Sequence, residues 1–101
     1  METLNKFYLY VGLNDRDTKT QLISNPQAMD IVNKVCGDCS IQEITGYYTH
    51  DNGEKVKENT LKVELLFKES EQVLNYCADL KRLLNQESII ISQEVTNSML
   101  V

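Results

Sequence analysis

The chain of 101 residues has no tryptophan, one proline, one histidine and few basic residues. Each shortage excludes something. Ten Lys and Arg against fifteen Asp and Glu leave a net charge of -5. That balance argues against a nucleic-acid backbone as partner, because phosphate binding needs clustered cations. No apolar run approaches the roughly 20 residues of a membrane span, so no membrane role is expected. The opening "METLNKFYLY" lacks the basic start, apolar stretch and small-residue cleavage site of an export signal. A cytoplasmic protein with reduced thiols is expected. With His50 as the only histidine, a nucleophilic triad has no identifiable base partner.

Three cysteines are present, two of them in Val35-Cys36-Gly37-Asp38-Cys39-Ser40. The CxxC spacing resembles a redox motif. Such a motif needs its first sulfur at a helix N-terminus, where the dipole favours thiolate. Cys36 instead falls in the last turn of an expected helix. A zinc site would have to draw on Cys36, Cys39, Cys77 and His50, with no second pair of closely spaced ligands. Cys36 and Cys77 lie on apolar stripes, where cysteine acts as a small hydrophobe. The expectation is structural packing, with no metal and no cofactor.

Patterning supplies the elements. "KFYLYVG" (6–12) reads as a strand with Phe7, Leu9 and Val11 on one side and Tyr8 and Tyr10 on the other. A polar loop of about a dozen residues follows, long for a compact domain. Asn25-Pro26 reads as a helix start, with Asn25 as cap. Ala28, Ile31, Val32, Val35 and Cys36 form the helix's buried stripe, and Gly37 its C-cap. "SIQEITGYYT" (40–49) reads as a strand, with a bulge near Gly46 because Ile41 and Ile44 break alternation. Asn52-Gly53 signals a hairpin. In the returning strand Leu61, Val63, Leu65 and Phe67 face inward. Ser70 is expected to cap a second helix, with Val73, Leu74, Cys77, Leu80 and Leu84 as its stripe. "SIIISQEV" (88–95) closes the chain as a strand.

The order strand–helix–strand–strand–helix–strand, with right-handed crossovers, gives an α+β, ferredoxin-like βαββαβ sandwich in a single domain over 1–101. A four-stranded antiparallel sheet carries both helices on one face. Tyr8, Tyr10, Glu64, Leu66 and Ile90, with one of Tyr47 or Tyr48, then share the uncovered face. An apolar and aromatic patch there implies a partner, most simply a second copy in a homodimer.

Three regions are the candidate ligand- or partner-binding sites. In the loop, Asn14, Asp15 and Asp17 can shape the turn, and Arg16, Lys19 and Gln21 can meet a polar partner. The loop is no EF-hand: Thr20 stands where glycine is needed and Pro26 where glutamate is. In the hairpin, Tyr48, His50 and Glu58 form a polar group. The third region is the open face. No catalytic residue is assigned, and binding is favoured over catalysis.

Two resemblances add to this. Leu9-Tyr10-Val11-Gly12 resembles the first-strand motif of RNA-recognition-motif domains, and the element order matches theirs. The outward residues of the third strand, Lys62, Glu64, Leu66 and Lys68, lack those domains' stacking aromatics. "KFYLYVGLNDRDTKTQ", "GYYTHDNGEKVKENTLKVELLF" and "LNQESI" are similar to stretches in small uncharacterised proteins of Firmicutes and their phages or mobile elements. The pattern also resembles a bacterial domain-of-unknown-function family through Leu9–Leu13, Gly46–Gly53, Glu64 and Gln86–Ser88. This implies the same fold and a bacterial or phage setting, and carries no activity.

The function expected is a small binding or regulatory protein acting as a homodimer on a small polar ligand or a host protein. The first alternative is a phage or mobile-element inhibitor whose acidic side chains occupy a host enzyme's nucleic-acid site. The second is an enzyme on a dimeric α/β barrel, with proton transfer on an enclosed sheet face.

Overall fold

The computed structural model describes residues 1–49 and 52–101. The elements are β1 (Glu2–Gly12), α1 (Asn25–Cys36), β2 (Ser40–Thr49), β3 (Lys55–Leu65), α2 (Ser70–Leu83) and β4 (Ile90–Ser98). They form one antiparallel sheet in the order β2-β3-β1-β4. The ferredoxin-like α+β architecture therefore holds, with β1 and β3 central.

Alternation decides the two faces. Phe7, Leu9 and Val11 of β1 and Leu61, Val63 and Leu65 of β3 are buried. Ala28, Val32 and Cys36 of α1 and Val73, Cys77 and Leu80 of α2 meet them to form the core. The other side of the central strands carries Lys6, Tyr8, Tyr10, Lys62 and Glu64, half-buried, with no helix over it.

Several boundaries differ from the sequence reading. β1 begins at Glu2, because β4 runs to Ser98 and pairs with it over that length. The cap of α1 is Ser24 rather than Asn25. Ser24 Oγ accepts from Gln27 N–H (3.2 Å), and Gln27 Oε1 accepts from Ser24 N–H (3.0 Å), a reciprocal capping box. Asn25 is already helical, and its amide donates to Glu43 on β2 (3.0 Å). Gly37 closes α1 at φ 69 and ψ -131, a conformation a side chain would resist. The N-cap of α2 is Glu69 rather than Ser70, and Glu69 N–H donates to Gln72 Oε1 (3.0 Å).

β2 has no bulge. Its register with β3 is unbroken from Ser40↔Glu64 to Thr49↔Lys55. Ile41 packs on the core, while Ile44 lies half-buried on the opposite face. The two isoleucines are three residues apart and so point to opposite faces of a regular strand, and the irregular pattern had no backbone cause. β3 ends at Leu65, and Phe67 adopts φ 58 and is 51% exposed instead of entering the core. Leu66, half-buried, lies one residue beyond the last ladder pair, Phe7↔Leu65. On α2, Leu74 is 60% exposed. It lies about 100° around the helix from Val73, and the half-buried Tyr76 packs on the core instead.

Among the described residues no helix is long and apolar enough to cross a membrane.

Candidate functional site

The polar segment after β1 is a built structure. Asn14 and Gln21 form a bridge across its neck, and Asp15 N–H donates to Thr20 O (2.8 Å). Asp15, 8% exposed, sits at its centre. Its Oδ2 accepts from the N–H groups of Asp17 (2.9 Å) and Thr18 (3.0 Å), and its Oδ1 accepts from Asn85 Nδ2 (2.8 Å). The Asn85 bond, then the two backbone donors, hold the Asp15 carboxyl below its ordinary pKa. Arg16 N–H donates to Asn85 O (3.0 Å), and Gln86 Nε2 donates to Asn14 O (2.7 Å). The turn after α2 thus staples the loop in place.

Glu58 of β3 is the second anchor. Its Oε2 accepts from Asn14 N–H (2.9 Å). The half-buried carboxylate lies over Gly12, where a Cβ would collide with it. Glycine at this position allows the close approach. In register, Gly46 opposes Glu58, and Tyr48 lays its ring across Gly46 on the same side of the sheet.

These pieces border one cleft of about 890 Å³. The sequence-predicted residues Asn14, Asp15, Arg16, Lys19, Tyr48 and Glu58 line it, together with Tyr10 and Ile90 of the open face. Three regions separated in sequence therefore meet. Asp17 and Gln21 do not join them. Asp17 accepts from Asn85 Nδ2 (2.8 Å), and Gln21 donates to Ile23 O and Asn25 Oδ1 (2.8 Å each). His50 lies outside the described residues. Tyr8 and Glu64 line a separate hollow further along the face.

The open face is not a bare apolar patch. Lys62 Nζ stands 4.6 Å from the Tyr8 ring centre and 5.9 Å from that of Tyr10. Lys6 Nζ lies 3.5 Å from Glu64 Oε1 and 5.8 Å from the Tyr8 ring centre. Of the predicted face residues only Ile90, 58% exposed, is a fully apolar side chain in the ladder, opposite Tyr10.

Sequence reasoning missed Gly12, Gln86 and Ser88 as cleft residues, and Lys62 as the cation over the tyrosines. "QES" before the last strand was conspicuous as a motif, but nothing local ties it to the first loop. The cysteines lie elsewhere. Cys36 and Cys77 are buried and Cys39 is half-buried. Burial first, then the neighbouring Cys39 and Cys77 thiols, push Cys36 up to about 12. Burial also raises Cys39 and Cys77. These are poor nucleophiles. Among the described residues no three His, Cys, Asp or Glu side chains converge as a metal set.

No family model matches the chain, and no curated protein matches it. Solved structures do. A phage SAM lyase in complex with S-methyl-5'-thioadenosine is 24% identical, with a TM-score of 0.67 over 90% of this chain and 80% of the other. A phage SAM lyase in the apo state is 23% identical, with a TM-score of 0.64 over 94% and 86%. CutA from Synechococcus elongatus is 12% identical, with a TM-score of 0.60 over 95% and 79%. At these identities the likeness is one of fold: the chain is built like these small βαββαβ proteins.

Proposed function

We propose that this chain is a small cytoplasmic binding protein of a bacterial or phage setting, whose ligand is a nucleoside carrying a positive centre. The ligand lies in the cleft between the 13–21 loop, the β2–β3 hairpin and the end of the open face. A second copy laid on that face, in a homodimer, would roof the cleft and exclude water from it.

The observation that carries the reading is Glu58. One carboxylate oxygen is fixed by Asn14 N–H, and the group is held half-buried over Gly12. An anchored carboxylate of this kind suits a cationic centre or paired hydroxyls. Tyr10 and Tyr48 line the same cleft and offer ring faces for a heterocycle or a cation. The fold likeness to a phage SAM lyase holding S-methyl-5'-thioadenosine suggests which nucleosides to try first. SAM itself is a sulfonium cation.

Calorimetric titration of the chain with SAM and with S-methyl-5'-thioadenosine tests this. Saturable binding is expected for both. Glu58→Gln should weaken SAM by about tenfold or more, the loss of one charge-assisted contact, and weaken the neutral thioether less. No binding of either ligand by the native chain sinks the reading.

The same likeness favours a second reading, in which the bound SAM is also cleaved: its own carboxylate displaces the neutral thioether from the γ-carbon, breaking that C–S bond and closing homoserine lactone. Release of S-methyl-5'-thioadenosine from SAM in the presence of the chain, absent with Glu58→Gln, would support it. An unchanged SAM pool would reject it while leaving the binding reading intact.

A further inference from the structure

Beside the cleft, the middle of the open face carries a second hollow of about 290 Å³, bounded by Tyr8, Ser40, Gln42, Lys62 and Glu64. Lys62 is half-buried there, its ammonium held over the Tyr8 and Tyr10 rings. No carboxylate of the described residues lies within ion-pair distance of it. Gln42 stands opposite Lys62 in the β2–β3 register, and Ser40 opposite Glu64. Neither of those polar side chains hydrogen-bonds to another described residue. Glu64 keeps its carboxylate on the same face, with Lys6 3.5 Å away.

The charges are ordered. Lys62 and Glu64 are two residues apart on one strand, so their backbone positions are roughly 7 Å apart on the same face. A simple anion drawn to Lys62 would meet Glu64, and a simple cation drawn to Glu64 would meet Lys6 and Lys62. A small molecule carrying both signs satisfies both ends, with hydrogen bonds of about 2.9 Å at each. The cation–π contacts restrain the lysine before binding, which lowers the ordering cost.

We propose that this hollow is a subsite for the zwitterionic group of an α-amino acid. The ligand carboxylate meets the Lys62 ammonium and the Gln42 amide, and the ligand ammonium meets Glu64. Tyr10 links the subsite to the cleft: it lines the cleft and is the cross-strand partner of Lys62. A ligand with a nucleoside at one end and an α-amino acid at the other would span both. In that combined form the inference rests on the proposed cleft; the subsite alone does not.

The test titrates the labelled full chain with L-methionine and follows backbone amide resonances. Saturating shifts localised to residues 8–10, 40–42 and 62–64 are expected. 4-Methylthiobutanoate, which lacks the ammonium, and 3-methylthiopropylamine, which lacks the carboxylate, should each bind at least tenfold more weakly. Lys62→Met should abolish the methionine shifts. Glu64→Gln should let 4-methylthiobutanoate bind as well as methionine, a gain that a misfolded variant cannot show. Absence of localised shifts with methionine, or equal binding of the analogues to the native chain, overturns the subsite. In Lys62→Met, SAM affinity should fall about tenfold while S-methyl-5'-thioadenosine affinity holds. Failure of both nucleosides with the native chain sinks the cleft reading, and the methionine titration still decides the subsite.

Discussion

Asp15 joins two segments of the chain through one carboxylate. It organises its own turn through Asp17 and Thr18 and reaches the end of α2 through Asn85. All of these donors favour the charged form, and the folded pKa is lowered. A group with a lowered folded pKa contributes stability that is complete above its unfolded value. That contribution is lost as pH falls through the folded one. The Asp15 contribution should therefore hold from neutral pH down to the ordinary carboxylate value, about 4, and be lost as pH falls further. In Asp15→Asn the profile below about pH 4 should be flatter, with lower stability at neutral pH. Urea unfolding at several pH values measures both, and parallel profiles would remove Asp15 from the linkage. The cysteines show a residue reading by placement rather than spacing. Cys36 ends a buried helical stripe, and its environment opposes the thiolate that a CxxC motif would require.

The helices show what local sequence can and cannot specify. Ser24 and Gln27 close a capping box, and Pro26 follows at the first turn. Ser24→Ala should cost about 1 kcal/mol of stability, a typical loss for an N-cap hydroxyl. Asn25→Ala should leave the cap intact and lose only its bonds to Gln21 and Glu43. Denaturant midpoints of the two variants separate these roles, and an equal loss in both would return Asn25 to the cap. The start of this helix was legible to within one residue, because Ser, Asn and Pro are adjacent and each suits a helix start. Phe67 and Leu74 were misread for a different reason. Alternation and helical spacing were extended past the point where partners exist. The Phe7–Leu65 pair ends the β1–β3 ladder, and α2 turns Leu74 away from the sheet.

At the scale of the whole molecule, one side of the sheet is packed and the other is open. The open side carries the cleft, the second hollow and Ile90. If a second copy covers it, light scattering at micromolar concentration should give the dimer mass, and Ile90→Asp should shift the mass toward the monomer. A monomeric native chain would reject the dimer, and the calorimetric titrations would then read the open cleft directly.

The sequence by itself determined the elements, their order and, up to Leu65, the inward residues of the central strands. These depend on neighbours one to four positions apart, through the strand's period of two and the helix's 3.6. It also marked the polar loop, the hairpin and the open face as separate places of interest. Only the tertiary structure decided that Asn14, Glu58 and Gln86 meet, with Gly12 bare beneath the glutamate. Those contacts join positions 44 and 72 residues apart. They follow from strand register and from the crossover that brings the end of α2 beside β1, which no local pattern encodes. The same register placed Lys62 between two tyrosines of the neighbouring strand, so a surface lysine became the centre of a charged hollow.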